Sequence, residues 1–204
     1  MKNIFLTSQA SEVLDKIVEM LPKKPEELKV VFIPTASDPY EAHPWLDNDR
    51  EKLTALGFQI EEFDLKNKTE DKTREFLSNF DIVFVAGGNT FYLLSQAKKS
   101  GFDKVAKELL QAGKIYIGSS AGSYICCPTI DAATWKNPEK NRYGLEDLSA
   151  LNFVDFLVTA HYKEKYKQAV EEGKTSTSYP VMVLTDQQFI NNGEVFTIIN
   201  NEQS

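Results

Sequence analysis

Three apolar runs, each followed by a helical pattern, constrain the fold of this chain more than any other feature. They are Lys29–Ala36, Asp81–Gly88 and Lys114–Ser119. Continuous apolar runs of this length are typical of strands that are buried on both faces of a parallel sheet. Their alternation with helical segments predicts an α/β fold, a three-layer sandwich in which helices cover both faces of a mostly parallel sheet.

The remaining segments extend this pattern along the chain. Further strands are predicted at Asn3–Ser8, Gln59–Leu65 and Phe153–Tyr162, and helices at Ser11–Leu21, Pro44–Gly57 and Phe102–Gly113. Val181–Asn200 predicts two or three short strands with an Asn-Gly turn, which would form a small antiparallel flap at the C-terminal end of the fold. Pro128–Ser149 is polar and is predicted to be a long loop. We expect residues 1–204 to form a single domain.

Composition narrows the function classes. A net charge of −7 argues against a nucleic-acid partner, which would require a basic face. No stretch approaches the roughly 18 apolar residues of a membrane span. The two cysteines, Cys126 and Cys127, are adjacent and leave no disulfide framework, which indicates a cytoplasmic protein. With only two histidines, no spacing indicates a zinc site.

A strand-to-helix corner carries the most specific motif. Gly118-x-Ser120-x-Gly122 has the pattern of a nucleophile elbow, in which a serine at the tip of a sharp turn is presented to a ligand. The N–H groups at the start of the next helix point to the same place, so the N–H of Ala121 could stabilise an oxyanion. Glycine and serine are also common turn residues. The buried strand before the corner and the long loop after it favour the elbow.

A serine nucleophile requires a base, and the chain offers His43 and His161. His161 directly follows a predicted strand, where ligand sites of open α/β sheets lie. His43 precedes Pro44 in an earlier loop. A lone histidine is more often structural, but the placement of His161 matches that of Ser120 and makes it the candidate base.

A second glycine cluster, Val85–Thr90, also follows a buried strand and opens a helix. It lacks the spacing of a dinucleotide-binding loop and the lysine of a P-loop. A second oxyanion donor at Gly88 fits better beside an elbow. Gly87, Asn89 and Thr90 are the expected substrate contacts.

Together these segments resemble a known family. Phe32–Ser37, Ala86–Leu94, Gly118–Ile130 and Asp155–Tyr162 occur in the order seen in the peptidase E family of serine peptidases. That family includes aspartyl dipeptidases and is related to cyanophycinases, and its fold resembles the class I glutamine amidotransferases, with a flavodoxin-like sheet.

The resemblance implies a hydrolase that cleaves short peptides or amide bonds. It implies Ser120 as nucleophile, His161 as general base, and the N–H groups of Gly88 and Ala121 as the oxyanion hole. It also implies that no metal or organic cofactor is needed. We expect a small peptide as the partner and a monomer or homodimer as the assembly.

The chain departs from the family at two points. Peptidase E sequences carry "TTND" after the serine helix, and its aspartate has been the proposed third triad member, whereas this chain has "TIDAATW". Asp131 is the nearest carboxylate and our candidate for orienting His161, although it could equally cap a turn; Glu146 and Asp147 are further candidates. The family also has an arginine-containing segment after its histidine, but no arginine follows Arg142 here. Strict specificity for an N-terminal aspartate is therefore not implied.

Two alternatives remain at this stage. A non-catalytic or weakly active ligand-binding protein on the same fold is one, because the aspartate of the family is displaced. An amidotransferase-like enzyme with a cysteine nucleophile is the other. The sequence argues against the latter, since Cys126 and Cys127 lie more than a helical turn beyond the elbow and are expected to face the core.

Overall fold

A seven-stranded sheet forms the centre of the molecule in the computed structural model, which describes residues 3–138 and 141–198. Its strands are β1 (Ile4–Thr7), β2 (Lys29–Ile33), β3 (Gln59–Glu62), β4 (Ile82–Val85), β5 (Ile115–Ser119), β8 (Gln188–Asn191) and β9 (Glu194–Thr197). Their order in the sheet is β3-β2-β4-β5-β1-β8-β9, in which the first five strands are parallel. The predicted α/β class is confirmed.

Helices cover the two faces of this sheet. They are α1 (Ala10–Glu19), α2 (Pro44–Ala55), α3 (Glu70–Leu77), α4 (Thr90–Lys99), α5 (Phe102–Gln111) and α6 (Ala121–Tyr124), whereas α7 (Lys167–Thr175) packs against Trp135. Successive side chains of a strand point to opposite faces of the sheet and therefore pack into different cores. Along β2, Val31 and Ile33 pack into one core cluster, and Val30 and Phe32 into the other.

The C-terminal strands divide between two sheets. β8 pairs antiparallel with β1 and β9 pairs antiparallel with β8, which confirms the antiparallel flap at the sheet edge. By contrast, β7 (Val181–Val183) pairs in parallel with β6 (Leu157–Thr159) in a separate two-stranded sheet. The last two residues of the predicted flap, 199 and 200, lie outside the described residues.

The long loop between α6 and β6 is partly ordered by local contacts. Residues 131–133 form one 3-10 turn, and Thr129 pairs with Ser149 through an antiparallel bridge that closes the loop at its base. Trp135 packs against α7, because an added Cβ on Gly173 would lie 2.2 Å from the indole ring. The bridge and the Trp135 contact therefore hold the loop at two points.

The parallel strands bring their carboxyl ends to one edge of the sheet, where ligand sites of such folds form. Ser8 follows β1, the Gly87–Gly88 pair follows β4, and Ser120 follows β5. The smaller sheet adds His161 after β6 and Asp186 after β7. None of the helices in the described part of the chain is long and apolar enough to cross a membrane.

Candidate active site

Ser120 lies at a sharp corner between β5 and α6 with the strained backbone angles φ 48° and ψ −102°. The residues at this corner are small because they pack closely against neighbouring backbone. A Cβ on Gly122 would lie 2.2 Å from the carbonyl oxygen of Val85, and one on Gly118 would lie 2.6 Å from the backbone of Gly122. A larger residue at either position would force the turn open.

Buried hydrogen bonds hold this corner against β1. The backbone N–H of Ser120 donates to the carbonyl of Thr7 at 3.0 Å. The Ser123 hydroxyl accepts from the N–H of Thr7 at 2.9 Å and lies 2.8 Å from the carbonyl oxygens of both Thr7 and Gly118. The Ser123 side chain therefore helps to fix the turn.

The structure brings Ser120 and His161 into direct contact. The Ser120 Oγ lies 2.9 Å from the His161 Nε2, a distance at which a hydrogen bond forms. His161 also has a positive φ of 54°, and its neighbour Ala160 is held through a hydrogen bond from its N–H to the hydroxyl of Tyr124. The second histidine, His43, lies before α2 and is not the one beside the serine.

Asp186 is the carboxylate behind the histidine. Its Oδ1 lies 2.6 Å from the His161 Nδ1, on the side of the ring opposite Ser120. The Ser8 hydroxyl donates to the same Oδ1 at 2.7 Å and accepts from the backbone N–H of His161 at 2.7 Å. The hydrogen bond from His161, with help from Ser8, lowers the pKa of Asp186 to about 2. Asp186 is therefore ionised at neutral pH.

Asp131 does not occupy this position, and the expectation that it orients His161 is corrected by the geometry. Its carboxylate is exposed and accepts a hydrogen bond from the Thr129 hydroxyl at 2.9 Å, a contact within its own loop. Asp147 lies in the same loop, where it accepts from the N–H of Ser149 and lies 3.5 Å from the ammonium of Lys98. Both carboxylates satisfy local contacts instead.

The sequence signal for Asp186 was present. Asp186 follows the strand β7 in the same way that His161 follows β6, so the rule that selected the histidine also applies to it. The pattern of Val181–Asn200 instead predicts an antiparallel flap, which would turn this position away from the site. The sequence does not identify Ser8 as a site residue, because a serine that follows the last residue of a strand is also common in ordinary turns.

The second glycine cluster lies beside the serine corner. A Cβ on Gly87 would lie 3.4 Å from the Ser120 Cβ, and one on Gly88, whose φ is 143°, would lie 2.2 Å from the carbonyl oxygen of Ala36. The Gly87 carbonyl accepts from the Trp45 indole N–H at 3.2 Å, which fixes this loop. The Asn89 side chain caps α4 by accepting from the N–H of Tyr92. Gly88 faces the cavities on both sides of Ser120.

Two cavities flank Ser120, and both reach His161 and Gly88. The first, of about 240 Å³, includes Thr90 and Lys136, and we call it the lysine side. The second, of about 470 Å³, includes Trp45 and Asp49, and we call it the aspartate side. Gly87 borders the aspartate side, whereas Asn89 borders the lysine side.

Asp49 is the buried carboxylate of the aspartate side. Burial raises the pKa of Asp49 to about 6, and hydrogen bonds from Ser119 and Ser11 oppose this only in part. The Ser11 N–H donates to its Oδ1 at 2.9 Å, which links α2 to the start of α1. Asp49 therefore connects two helices to the residue that precedes the candidate nucleophile.

The cysteines are in the core, as expected from the sequence. Cys126 and Cys127 are at most 1% exposed. Burial raises the pKa of Cys127 to about 12 and that of Cys126 well above its ordinary value, so neither thiol ionises readily. In the described ranges, no group of three or more histidine, cysteine, aspartate or glutamate side chains is arranged to hold a metal ion.

Comparison with known proteins identifies the family. The model of peptidase family S51 matches residues 4–199. The chain belongs to this family. It is 37% identical over 188 residues to an uncharacterized peptidase of Listeria monocytogenes, covering 89% of this chain and 91% of the relative. It is 32% identical over 205 residues to an uncharacterized peptidase of Pasteurella multocida, covering 99% and 95%.

Other relatives have a more specific name. Peptidase E of an Escherichia coli strain is 33% identical over 102 residues, which cover 47% of this chain and 44% of the relative. A crystal structure from Listeria monocytogenes, which bears a provisional peptidase E assignment, superposes with a TM-score of 0.85 and 34% identity, covering 97% of this chain and 98% of that chain. The resemblance to peptidase E is thereby confirmed, and with it a peptidase function at the level of the family.

Proposed function

We propose that this S51 peptidase is a serine peptidase that cleaves short peptides, with Ser120 as nucleophile, His161 as general base and Asp186 as the orienting acid. One observation carries the proposal. A continuous chain of contacts runs from the Ser120 Oγ through the His161 ring to the Asp186 carboxylate, at 2.9 and 2.6 Å. A serine activated by a histidine that a carboxylate orients is the arrangement by which acyl transfer proceeds without a metal.

The first half of the reaction forms an acyl-enzyme. The Ser120 Oγ attacks the peptide carbonyl carbon while the His161 Nε2 takes the hydroxyl proton. The ionised Asp186 holds the Nδ1–H tautomer of His161 and stabilises the imidazolium that forms. His161 then gives the proton to the leaving amine, and the C–N bond breaks.

The oxyanion of the tetrahedral intermediate requires donors that are already in place. We assign this role to the backbone N–H groups of Gly88 and Ala121. Ala121 is the first residue of α6, where the helix leaves its N–H groups without an intrahelical acceptor. In the second half, His161 takes a proton from a water molecule, whose oxygen attacks the acyl carbonyl carbon. The ester C–O bond then breaks while His161 returns the proton to the Ser120 Oγ.

The volume of the cleft supports short substrates. The cavities on the two sides of Ser120, of about 240 and 470 Å³, are in or below the range of small-molecule sites. Together they accommodate a few amino-acid residues across the scissile bond. Dipeptides and similar amides are therefore the substrates that we propose.

A fluorophosphonate probe tests the nucleophile directly. We expect the native protein to be labelled at Ser120, as located by mass spectrometry of the digested protein, and the Ser120→Ala variant to remain unlabelled. The Ser119→Ala variant is the matched control, and we expect it to retain labelling. A native protein that unfolds cooperatively on heating yet takes up no label at Ser120 would contradict the proposal.

The binding-protein alternative depended on a missing carboxylate behind His161. The 2.6 Å contact with Asp186 weakens that reason. A cytoplasmic location and a monomeric or homodimeric state remain predictions from the sequence.

A further inference from the structure

The lysine side of the cleft has an unusual charge distribution. The described residues that line it include no aspartate or glutamate, and Lys136 is the one lysine or arginine among them. It shares this cavity with both Ser120 and His161. Among the described residues, a ligand bound next to the candidate nucleophile on this side would therefore meet one lysine and no carboxylate.

Lys136 is held in place by its surroundings. The preceding residue, Trp135, packs against Gly173 of α7, and Ala132 of the same loop is buried. The Lys136 ammonium lies 5.8 Å from the centre of the Tyr166 ring. These contacts direct a flexible side chain to one wall of the cavity.

The charge of Lys136 has no ion-pair partner in the described part of the chain. The described ion pairs at up to 4.0 Å include other lysines, such as Lys98 and Lys167, but not Lys136. Burial lowers the pKa of Lys136 to about 8, although the negative charge of Asp186 opposes this. Lys136 is thus mostly charged at neutral pH while it is partly removed from water, a state that a bound anion would stabilise.

The aspartate side has the opposite character. Asp49 lies there, next to the residue preceding Ser120, and it adds a buried carboxyl to that wall. A substrate carboxylate would be disfavoured next to Asp49 and favoured next to Lys136. The two cavities therefore favour one orientation of a charged substrate, in which its carboxylate lies in the lysine side.

We propose that Lys136 is a specificity-determining residue, which binds a carboxylate of the substrate in the lysine side of the cleft. This inference rests on the proposed peptidase function, because it assigns a group to the substrate of that site. The carboxylate has two possible sources in a short peptide. It is either an acidic side chain on the residue that is acylated or the free C-terminal carboxylate of the leaving residue.

Two pairs of substrates separate these sources. The first pair is the aminomethylcoumarin amides of Asp and Asn, which differ only in the acidic side chain. The second is Ala-Leu and Ala-Leu-amide, which differ only at the C-terminus. For each pair we would measure the ratio of kcat/KM, acid over amide, in the native protein and in Lys136→Met, Lys136→Arg and Lys165→Met.

We expect the native protein to prefer the acid in one pair, and Lys136→Met to reduce that ratio roughly tenfold to a hundredfold, the effect of losing a charge-assisted hydrogen bond. Lys136→Arg should retain most of the preference. Lys165→Met is the matched control, because the Lys165 ammonium also lies near the Tyr166 ring, at 4.9 Å, but Lys165 is exposed and outside the cavity. It should leave the ratio unchanged.

Fluorophosphonate labelling of Ser120 distinguishes a failure of this inference from a failure of the proposed function. Protection from labelling also provides a readout without turnover, with L-aspartate against L-asparagine and L-leucine against L-leucinamide as competitors. The assignment of Lys136 is wrong if Ser120 is labelled but neither the kcat/KM ratios nor the protection from labelling favour an acid. It is also wrong if Lys136→Met retains the native preference. In both cases the assignment of Ser120 as nucleophile is unaffected. Absence of labelling would overturn the proposed function itself.

Discussion

The two halves of the candidate site are built differently. The nucleophile half, Gly118–Ser123, is a corner of the large sheet whose turn is fixed by buried backbone contacts. The base half, His161 and Asp186, lies at the end of the two-stranded sheet, and these side chains remain 45% and 34% exposed. The first half is fixed by steric fit and the second by a few polar contacts. Substitutions that disturb the packing of the nucleophile half should therefore lower the free energy of unfolding, whereas substitutions in the base half should lower kcat.

The largest effect that we expect is a chemical one in the base half. Asp186→Asn keeps the shape of the side chain but removes the charge that holds His161 in its active tautomer, so kcat should fall by roughly 10³- to 10⁴-fold. Thermal unfolding should show that the fold persists. Steady-state kinetics on any cleaved dipeptide would measure the loss.

Asp131→Asn is the matched control for this substitution. Its carboxylate is exposed and accepts a hydrogen bond within its own loop, so we expect kcat within about twofold of the native value. A greater loss in Asp131→Asn than in Asp186→Asn would show that the orienting acid has been assigned to the wrong residue.

A steric effect in the nucleophile half should come next. Gly122→Ala would place a methyl group 2.2 Å from the carbonyl oxygen of Val85, in a region where neither backbone can move freely. We expect the free energy of unfolding to fall by about 3 kcal/mol or more, as for severe overpacking. Chemical denaturation would measure it.

Gly193→Ala provides the comparison for that experiment. Gly193 has a φ of 81° in the turn between β8 and β9, but no heavy atom beyond its chain neighbours lies within 4 Å of its added Cβ. Only the left-handed backbone is strained, at a cost of about 1 kcal/mol. Equal losses in the two variants would mean that the corner is less tightly packed than its geometry indicates.

The smallest of the three effects concerns the pH dependence of stability. Two carboxyl groups, one near each half of the site, should change the free energy of unfolding in opposite directions as pH rises. The pKa of Asp49 is raised to about 6, so the folded state binds the proton more tightly than the unfolded state, and stability should fall as pH rises from about 4 to 6. The size is on the order of 2 to 3 kcal/mol. The pKa of Asp186 is lowered to about 2, so its contribution is present above about pH 4 and is lost as pH falls through 2.

Unfolding free energies measured between pH 2 and 7 for the native protein and for Asp49→Asn and Asp186→Asn would separate these contributions. We expect Asp49→Asn to remove the decline between pH 4 and 6, and Asp186→Asn to reduce the decline below pH 4. Identical pH profiles for the native protein and Asp49→Asn would show that this carboxyl is better solvated than its burial suggests.

The difference between the halves also explains what the sequence could predict. The Ser120 corner is encoded locally, because a buried strand, small turn residues and a helix follow one another within a few positions. His161 could be found because it follows a strand. Asp186 depends on β7 pairing with β6 across a connection that contains a helix, and neither short strand shows whether its partner is parallel or antiparallel. Asp131 is the carboxylate nearest in sequence to the position of the family's aspartate, but nearness in sequence does not determine which carboxylate reaches His161 in the fold.

The contacts of Ser8 have a consequence for how the chain acquires activity during synthesis. Ser8 is made early and Asp186 late, yet they bond to each other and to His161. A growing chain on the ribosome can form the serine corner long before it possesses Asp186, the acid that we assign to the triad. Under the proposed mechanism, peptide hydrolysis at full rate therefore requires that translation has passed residue 186 and that the two-stranded sheet has formed.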